Sequence, residues 1–172
     1  MSLNMYLRKK VYPSINYKDY VDNKITAKVV LETDYSTLTS FEVNPSTSFQ
    51  LGEVYWGKAN MIHDWFVNEV QYGNDDCSTY VVSEDNLKDL LNTCEEILEE
   101  KELNGKDSAI LLAEEILPTT DSFFFGNTEY EDYYFNTLEK TITDVKSLIN
   151  IDVPKKIEGV ILSTYYEYSS SW

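Results

Sequence analysis

The segment from Lys58 to Val70 places the strongest constraint on what this chain can fold into. Its apolar positions recur at steps of three and four residues, which predicts one amphipathic helix. The positions on this stripe are Ala59, Ile62, His63, Phe66, Val67 and Val70. Gly73 and Asn74 follow, and both residue types tolerate the left-handed conformation that ends helices. With Trp56 before it and Trp65 on its flank, we expect this helix to be a central packing element.

His63, the only histidine, has two interpretations. On an apolar stripe, a single imidazole is more often a core residue whose nitrogens are hydrogen-bonded to neighbours, and this interpretation is favoured. The alternative is a general base that is oriented by Asp75 or Asp76 and activates the Cys77 thiol. That chemistry requires a geometry which the order of residues along the chain does not specify.

The same segment supports a hypothesis of a different class, a nucleotide-binding or metabolite-binding protein or enzyme. Lys58 and His63 would hold an anionic group, and the tryptophans would stack on a ring. The residues of this candidate pocket are Trp56, Lys58, Asn60, His63, Asp75, Asp76 and Cys77. A Mg²⁺ site at the adjacent aspartates is a further option, although such pairs in solvated loops more often bind no metal.

The charge of the chain limits the partners that it can bind. Of its 172 residues, 30 are Asp or Glu and 14 are Lys or Arg, which gives a net charge of −16. This field disfavours nucleic acid and anionic membranes and favours a protein with a basic surface. Acidity is also a common route to solubility, which is the simpler explanation of the charge.

The charge is concentrated between residues 84 and 132, where fifteen acidic and three basic residues give −12. We expect this block to form a strongly negative side of the molecule. Exposed carboxylates and aromatic anchors are typical of surfaces that bind other proteins. The predicted partner-binding residues are Glu95, Glu96, Glu99, Glu100, Phe123, Phe124, Phe125, Tyr165, Tyr166 and Trp172.

The sequence contains no recognisable catalytic or cofactor motif. The two cysteines, Cys77 and Cys94, do not form a C-x-x-C pair, so a zinc site of the usual type is not expected. Cys94 falls on an apolar helical stripe and is predicted to be a small core residue. Because no cofactor motif is present, we expect no cofactor. No signal peptide or membrane span is evident, so we expect a cytoplasmic location.

The first fifty residues are predicted to form a small antiparallel sheet that docks the Lys58–Val70 helix. Leu3 to Arg8 alternates apolar and polar residues, as strands do, and Pro13 begins a polar loop. Residues 25–32 and 37–43 are rich in β-branched types and predict a hairpin with its turn at 33–36.

Three more helices are predicted, which gives four in all. One begins after the N-cap Ser83 and extends to about Glu102, and a second covers 106–117 and ends at Pro118. Thr128 and Glu131 have capping-box spacing and predict a helix that runs to about Asn150. Residues 157–168 are expected to form a late strand. The fold class is therefore α+β, a single domain with an antiparallel sheet from both ends of the chain packed against about four helices.

Several blocks of the sequence resemble a widespread family of small, mostly uncharacterised phage and prophage proteins. They are NMYLRKK, EVYWGKANMIHDWFV, NDDC, ILPTTDSFFFGNTEYEDYY and the tyrosine-rich ending SSW. The resemblance implies a phage origin, expression in a bacterial host cytoplasm and an accessory role. Together with the charge, it favours an inhibitor of a host antiviral defence protein, for example an anti-CRISPR protein that mimics nucleic acid. A virion or scaffold component is a third option, and the sequence does not specify the oligomeric state.

Overall fold

The computed structural model describes residues 2–14, 26–29, 39–42, 47–122, 124–157 and 160–172. Its strands are β1 Asn4–Ser14, β2 Thr26–Val29, β3 Thr39–Glu42, β4 Phe49–Gly57, β5 Tyr80–Val82, β6 Lys156–Ile157 and β7 Val160–Ser171. Its helices are α1 Asn60–Glu69, α2 Glu84–Asn104, α3 Lys106–Ile116 and α4 Asp132–Ile149. The predicted α+β class, an antiparallel sheet with four helices, is confirmed for the part of the chain described.

The main sheet has the strand order β4-β1-β7-β5, and β6 also pairs with β7. Strand β5 runs antiparallel to β7, with Val82 opposite Tyr166. Alternate residues of β1 are buried from Met5 to Pro13, as the period-two pattern predicts. The strand expected late in the chain therefore lies inside the sheet, next to the strand formed by the first residues.

The chain divides into two compact units. One contains Met1–Lys9, Leu51–Ile151 and Tyr165–Trp172, and the other contains Lys10–Gln50 and Asp152–Thr164. The four helices all lie in the first unit. That the chain forms one domain stays a prediction.

The predicted hairpin is present, but its place in the fold differs from the prediction. Strands β2 and β3 pair antiparallel with Thr26 opposite Glu42, and they form a separate two-stranded sheet. The predicted turn at 33–36 lies outside the described residues. The described strands of this region therefore divide between two sheets, with β1 in the main sheet and β2 and β3 in the separate one.

Helix α1 is the central packing element that its pattern predicts. Ile62 and Phe66 are completely buried, and the Phe66 ring stacks on Tyr168 with centroids 4.0 Å apart. Burying a side chain of this size stabilises the fold by roughly 1.5–3 kcal/mol. After the helix, Gly73 adopts a φ of 80° and its N–H donates to the Val67 carbonyl at 2.8 Å. The glycine signal at the end of α1 is thus confirmed.

Helices α2 and α3 begin and end where the sequence indicates. Ser83 caps α2, since its Oγ accepts from the Asn86 N–H at 3.0 Å and the Asn86 side chain accepts from the Ser83 N–H. Gly105, with a φ of 92°, separates α2 from α3. Cys94 is completely buried, which confirms its assignment to the core.

Two local predictions are wrong, and one strand was missed. Pro13 lies within β1, as its penultimate residue, and does not begin a loop. Strand β4 was not predicted, because Gly52 and Glu53 interrupt its apolar pattern. Helix α4 begins at Asp132 without a side-chain cap, and the Thr128 carbonyl instead accepts from Thr119 Oγ1 at 2.9 Å.

Helix α4 ends against a buried lysine of β1. The Lys9 ammonium donates to the Ile149 and Ile151 carbonyls at 2.7 and 2.8 Å, while the side chain is only 5% exposed. These carbonyls have no partner within the helix, and a cation at a helix C-terminus also complements its dipole.

No helix in the described ranges has the length and apolar character to cross a bilayer.

Candidate functional site

His63 is at the centre of a series of hydrogen bonds that link side chains of the first unit. Its Nδ1 lies 2.7 Å from the Tyr168 hydroxyl, and its Nε2 lies 3.1 Å from Asp75 Oδ2. The other oxygen of Asp75 accepts from the Trp172 indole N–H at 3.0 Å. We call these four residues the His63 chain.

The chemistry of the partners assigns the protons in the His63 chain. A carboxylate only accepts, so the imidazole Nε2 carries hydrogen toward Asp75 and the Nδ1 accepts from Tyr168. Burial, and then the nearby Asp75 charge, raise the pKa of the Tyr168 phenol well above its usual value. Tyr168 therefore remains a protonated donor at neutral pH.

Aromatic rings enclose the imidazole and leave it 1% exposed. The Phe125 ring meets it edge-on at 5.0 Å, and the Trp172 ring lies 6.4 Å from Phe125. Both ring nitrogens already have partners other than a thiol, and Cys77 is exposed. This geometry favours the structural interpretation of His63 over the general-base alternative.

The other buried members of the candidate pocket have structural partners. The Trp56 indole N–H donates to Thr141 Oγ1 at 2.9 Å. The Asn60 amide donates to the Asn127 carbonyl at 2.9 Å and accepts from the Thr120 N–H at 3.0 Å. Asn60 thereby fixes the backbone of the segment before α4.

Three members of the candidate pocket, Lys58, Asp76 and Cys77, are exposed. Lys58 has a φ of 59° and an exposed side chain. Asp76 accepts from the Ser78 N–H at 2.9 Å and from the Tyr80 hydroxyl at 3.1 Å. The Ser78 hydrogen bond is the main reason that the pKa of Asp76 is lowered.

A metal at Asp75 and Asp76 would have to displace protein donors. Asp75 is shared between His63 and Trp172, while Asp76 binds Ser78 and Tyr80. In the described part of the chain, no three His, Cys, Asp or Glu side chains converge as metal ligands.

The predicted aromatic anchors are mostly part of the core. Phe125 and Tyr166 are buried, and Phe124 and Tyr165 are half-buried. Trp172 is 40% exposed, although its N–H is held by Asp75. Phe123 lies outside the described residues.

The four predicted glutamates of α2 divide into two pairs. Glu95 forms an ion pair with Lys146, and Glu100 accepts from Asn104 and Ser108. The Ser108 hydrogen bond is the first cause of the lowered pKa of Glu100. Glu96 and Glu99 are exposed on the helix face opposite the buried stripe, so they are available to a partner.

Exposed carboxylates of α2 and α3 define what we call the acidic surface. It consists of Asp89, Glu96, Glu99, Asp107 and Glu114. By helical periodicity, the α2 members lie within one arc opposite the core, and the two α3 members, seven residues apart, share one face.

The basic residues in this stretch are used within the protein. Lys88 pairs with Glu84 at 3.0 Å and with Asp85 at 3.4 Å. The ammonium groups of Lys101 and Lys106 lie over the Phe135 ring, at 4.2 and 6.0 Å from its centroid. These contacts pair none of the three lysines with a carboxylate of the acidic surface.

Two exposed leucines accompany the acidic surface and were not predicted as binding residues. Leu103 of α2 is 79% exposed and Leu111 of α3 is 69% exposed. Each lies on the same helix face as the carboxylates, at helical spacing from Glu99 and from Asp107. The signal that was available is that both leucines fall off the buried stripes of their helices.

Comparisons with protein-family models, with curated proteins and with solved structures find no match to this chain.

Proposed function

We propose that this protein acts by binding a basic surface of another protein through the acidic surface of α2 and α3. The observation that carries the proposal is the direction of the charges in this stretch. The five carboxylates of the acidic surface are exposed, while Lys88, Lys101 and Lys106 contact other groups of the protein.

Exposed apolar side chains favour a protein partner. A purely electrostatic surface gives fast encounter but little affinity, because exposed ion pairs contribute only about 0–1 kcal/mol each. Leu103 and Leu111 supply apolar area that a partner protein can cover. The partner that fits is one whose basic surface otherwise binds nucleic acid phosphates.

The biological setting of the proposal rests on the family resemblance. A phage accessory protein of this charge fits an inhibitor of a bacterial antiviral defence protein, acting in the host cytoplasm by occupying a nucleic-acid-binding surface. Small-ligand binding around His63 is the less favoured alternative, because Trp56, Asn60 and His63 are buried and hydrogen-bonded within the protein.

The test neutralises three carboxylates of α2 without changing side-chain size. The variant D89N/E96Q/E99Q and the control D121N/E129Q/D152N remove the same charge from exposed positions. Tagged wild-type protein is used to capture a partner from bacterial lysate. Dissociation constants are then measured with the purified partner, at low salt and at about 0.5 M salt, where the Debye length falls to only a few Å.

The expected result is that the α2 variant weakens binding at least tenfold and the control does so by less than threefold. Salt should weaken the wild-type complex, and DNA should compete with the protein for the partner. Equal losses in both variants, or an affinity independent of salt, would contradict the proposal.

A further inference from the structure

The outer edge of β4 lies beside helix α4 and borders an open cleft. Among the described strands, β4 ends the main sheet and pairs with β1 alone. The cleft has a volume of about 460 Å³ and lies between residues 52–55 of β4 and the α4 residues Lys140, Asp144, Ser147 and Leu148. This volume is in the range of sites that hold ligands or several side chains of a partner.

Two contacts with β1 fix which backbone groups of β4 point outward. The Lys58 N–H donates to the Leu3 carbonyl at 2.9 Å, and Arg8 forms an ion pair with Glu53 at 2.7 Å. Both contacts fit one antiparallel register. Because hydrogen bonding alternates along an antiparallel strand, the backbone groups of Glu53 and Tyr55 point away from β1.

Two side chains of α4 already bind outward carbonyls of this edge. The Lys140 ammonium donates to the Tyr55 carbonyl at 3.2 Å, and the Tyr133 hydroxyl donates to the Gly57 carbonyl at 2.7 Å. Both bonds confirm that the alternate carbonyls face outward. Within the described ranges, no such donor reaches Glu53, whose backbone lies at the cleft.

We propose that this edge binds an extended segment of another protein as an added antiparallel or parallel strand. Strand addition would satisfy the outward N–H and C=O groups of Glu53, and the cleft beside the strand would receive alternate side chains of the segment. The site thus combines a backbone template with a pocket, which gives both affinity and sequence preference.

The cleft and the charge of the chain favour a lysine or arginine at the main side-chain position. Leu148 and Ile151 offer apolar surface for the aliphatic stem, and the two carboxylates on the wall, Glu53 and Asp144, are shared with Arg8 and Lys140. A net charge of −16 attracts a basic segment and repels a second copy of this chain, so a copy is the less suitable occupant.

The test is a selection from a random decapeptide library displayed on phage, with the full-length protein as target. The blocking variant is S147F, which places a ring in the cleft, and the matched control is T143F. Both are exposed residues of α4 whose hydroxyls donate to the carbonyl four residues earlier, but Thr143 does not line the cleft. Gly52 is left unchanged, because an added Cβ would lie 2.7 Å from Ile151 Cδ1.

Peptides that alternate apolar and basic residues should be enriched by wild type and T143F. Their synthetic forms should bind S147F at least tenfold more weakly. Each peptide is also made in two N-methylated forms, one methylated at the odd positions and one at the even positions. One form should lose binding and the other should bind nearly as well as the unmodified peptide, since only one set of amides faces β4. The variant D89N/E96Q/E99Q should bind these peptides within threefold of wild type, which separates this site from the acidic surface.

The inference is overturned if no peptide is enriched or if enriched peptides bind S147F and T143F with equal affinity. It is also overturned if neither N-methylated form of the peptides binds more weakly than the unmodified peptide. Sedimentation of the wild-type protein tests whether a second copy of the chain binds this edge instead. A concentration-dependent dimer that S147F abolishes would assign the edge to a second copy and would also overturn the proposed partner.

Discussion

His63 joins segments that are far apart in the sequence, so much of the local order depends on one side chain. It contacts Tyr168 of β7 and Asp75 of the loop after α1, and Asp75 in turn holds Trp172. An apolar stripe was enough to predict that the imidazole is buried. The identity of Tyr168 as its partner was not predictable, because the two residues are 105 positions apart and no local rule connects them.

Replacing His63 with alanine should lower the free energy of unfolding by about 2–4 kcal/mol, since it leaves a cavity and an unpaired buried hydroxyl on Tyr168. Urea denaturation at pH 7 measures this change. The control is N68A on the exposed side of α1, which should stay within about 0.5 kcal/mol of wild type. If the two variants were equally stable, the His63 chain would have no structural importance.

At the scale of elements, one true cap and one false cap give a direct comparison. Ser83 forms the capping box of α2 with Asn86, whereas Thr128, which has Glu131 at capping-box spacing, lies four residues before α4. We expect S83A to cost about 1 kcal/mol and T128A to cost clearly less. Thermal unfolding of both variants checks the difference, and a larger loss for T128A would contradict the observed start of α4.

Elements with a continuous period were predicted well, and elements whose order depends on distant residues were not. Helices α1, α2 and α3 follow their apolar stripes and their glycine and proline signals. Strand β4 has a broken pattern and is ordered by pairing with β1, which begins 45 residues earlier. The segment before α4 was misread because Asn60, on another helix, fixes its backbone.

The candidate site was predicted only in part, for the same reason. Glu96 and Glu99 could be placed on a solvated face by helical spacing alone. Internal partners such as Lys146 for Glu95 and Ser108 for Glu100 depend on how the helices pack. The cleft beside β4 was not predictable, because it needs both the missed strand and the position of α4.

For the whole molecule, buried thiol and phenol groups make stability depend on alkaline pH. Burial is the main cause that raises the pKa of Cys94 to about 12 from a usual value of 9.0, and it also raises the pKa of Tyr134 and Tyr168. Above pH 9 the unfolded chain begins to lose protons that the folded protein keeps. The free energy of unfolding therefore falls as pH rises, by about 1 kcal/mol per pH unit for each such group.

Urea denaturation at several values between about pH 8 and pH 11 measures this loss, with far-ultraviolet circular dichroism as the readout. Between about pH 9 and pH 10 the variant C94A should lose stability less steeply than wild type, because one of the buried acids is gone. The variant C77A, which removes an exposed thiol, should follow the wild-type slope. A stability that does not change over this range would contradict the inferred burial.

The position of β7 between β1 and β5 has a consequence for the synthesis of the protein on the ribosome. Strand β1 is translated before the helices, yet its inner neighbour, residues 160–171, is made only after α1 to α4. Pairings this distant in sequence form slowly, and domains generally fold as units during synthesis. Helices α1 to α4 therefore leave the exit tunnel while the sheet is still incomplete. Until β7 is made, the apolar face of α1 lacks its partner strand and is a surface that chaperones can bind.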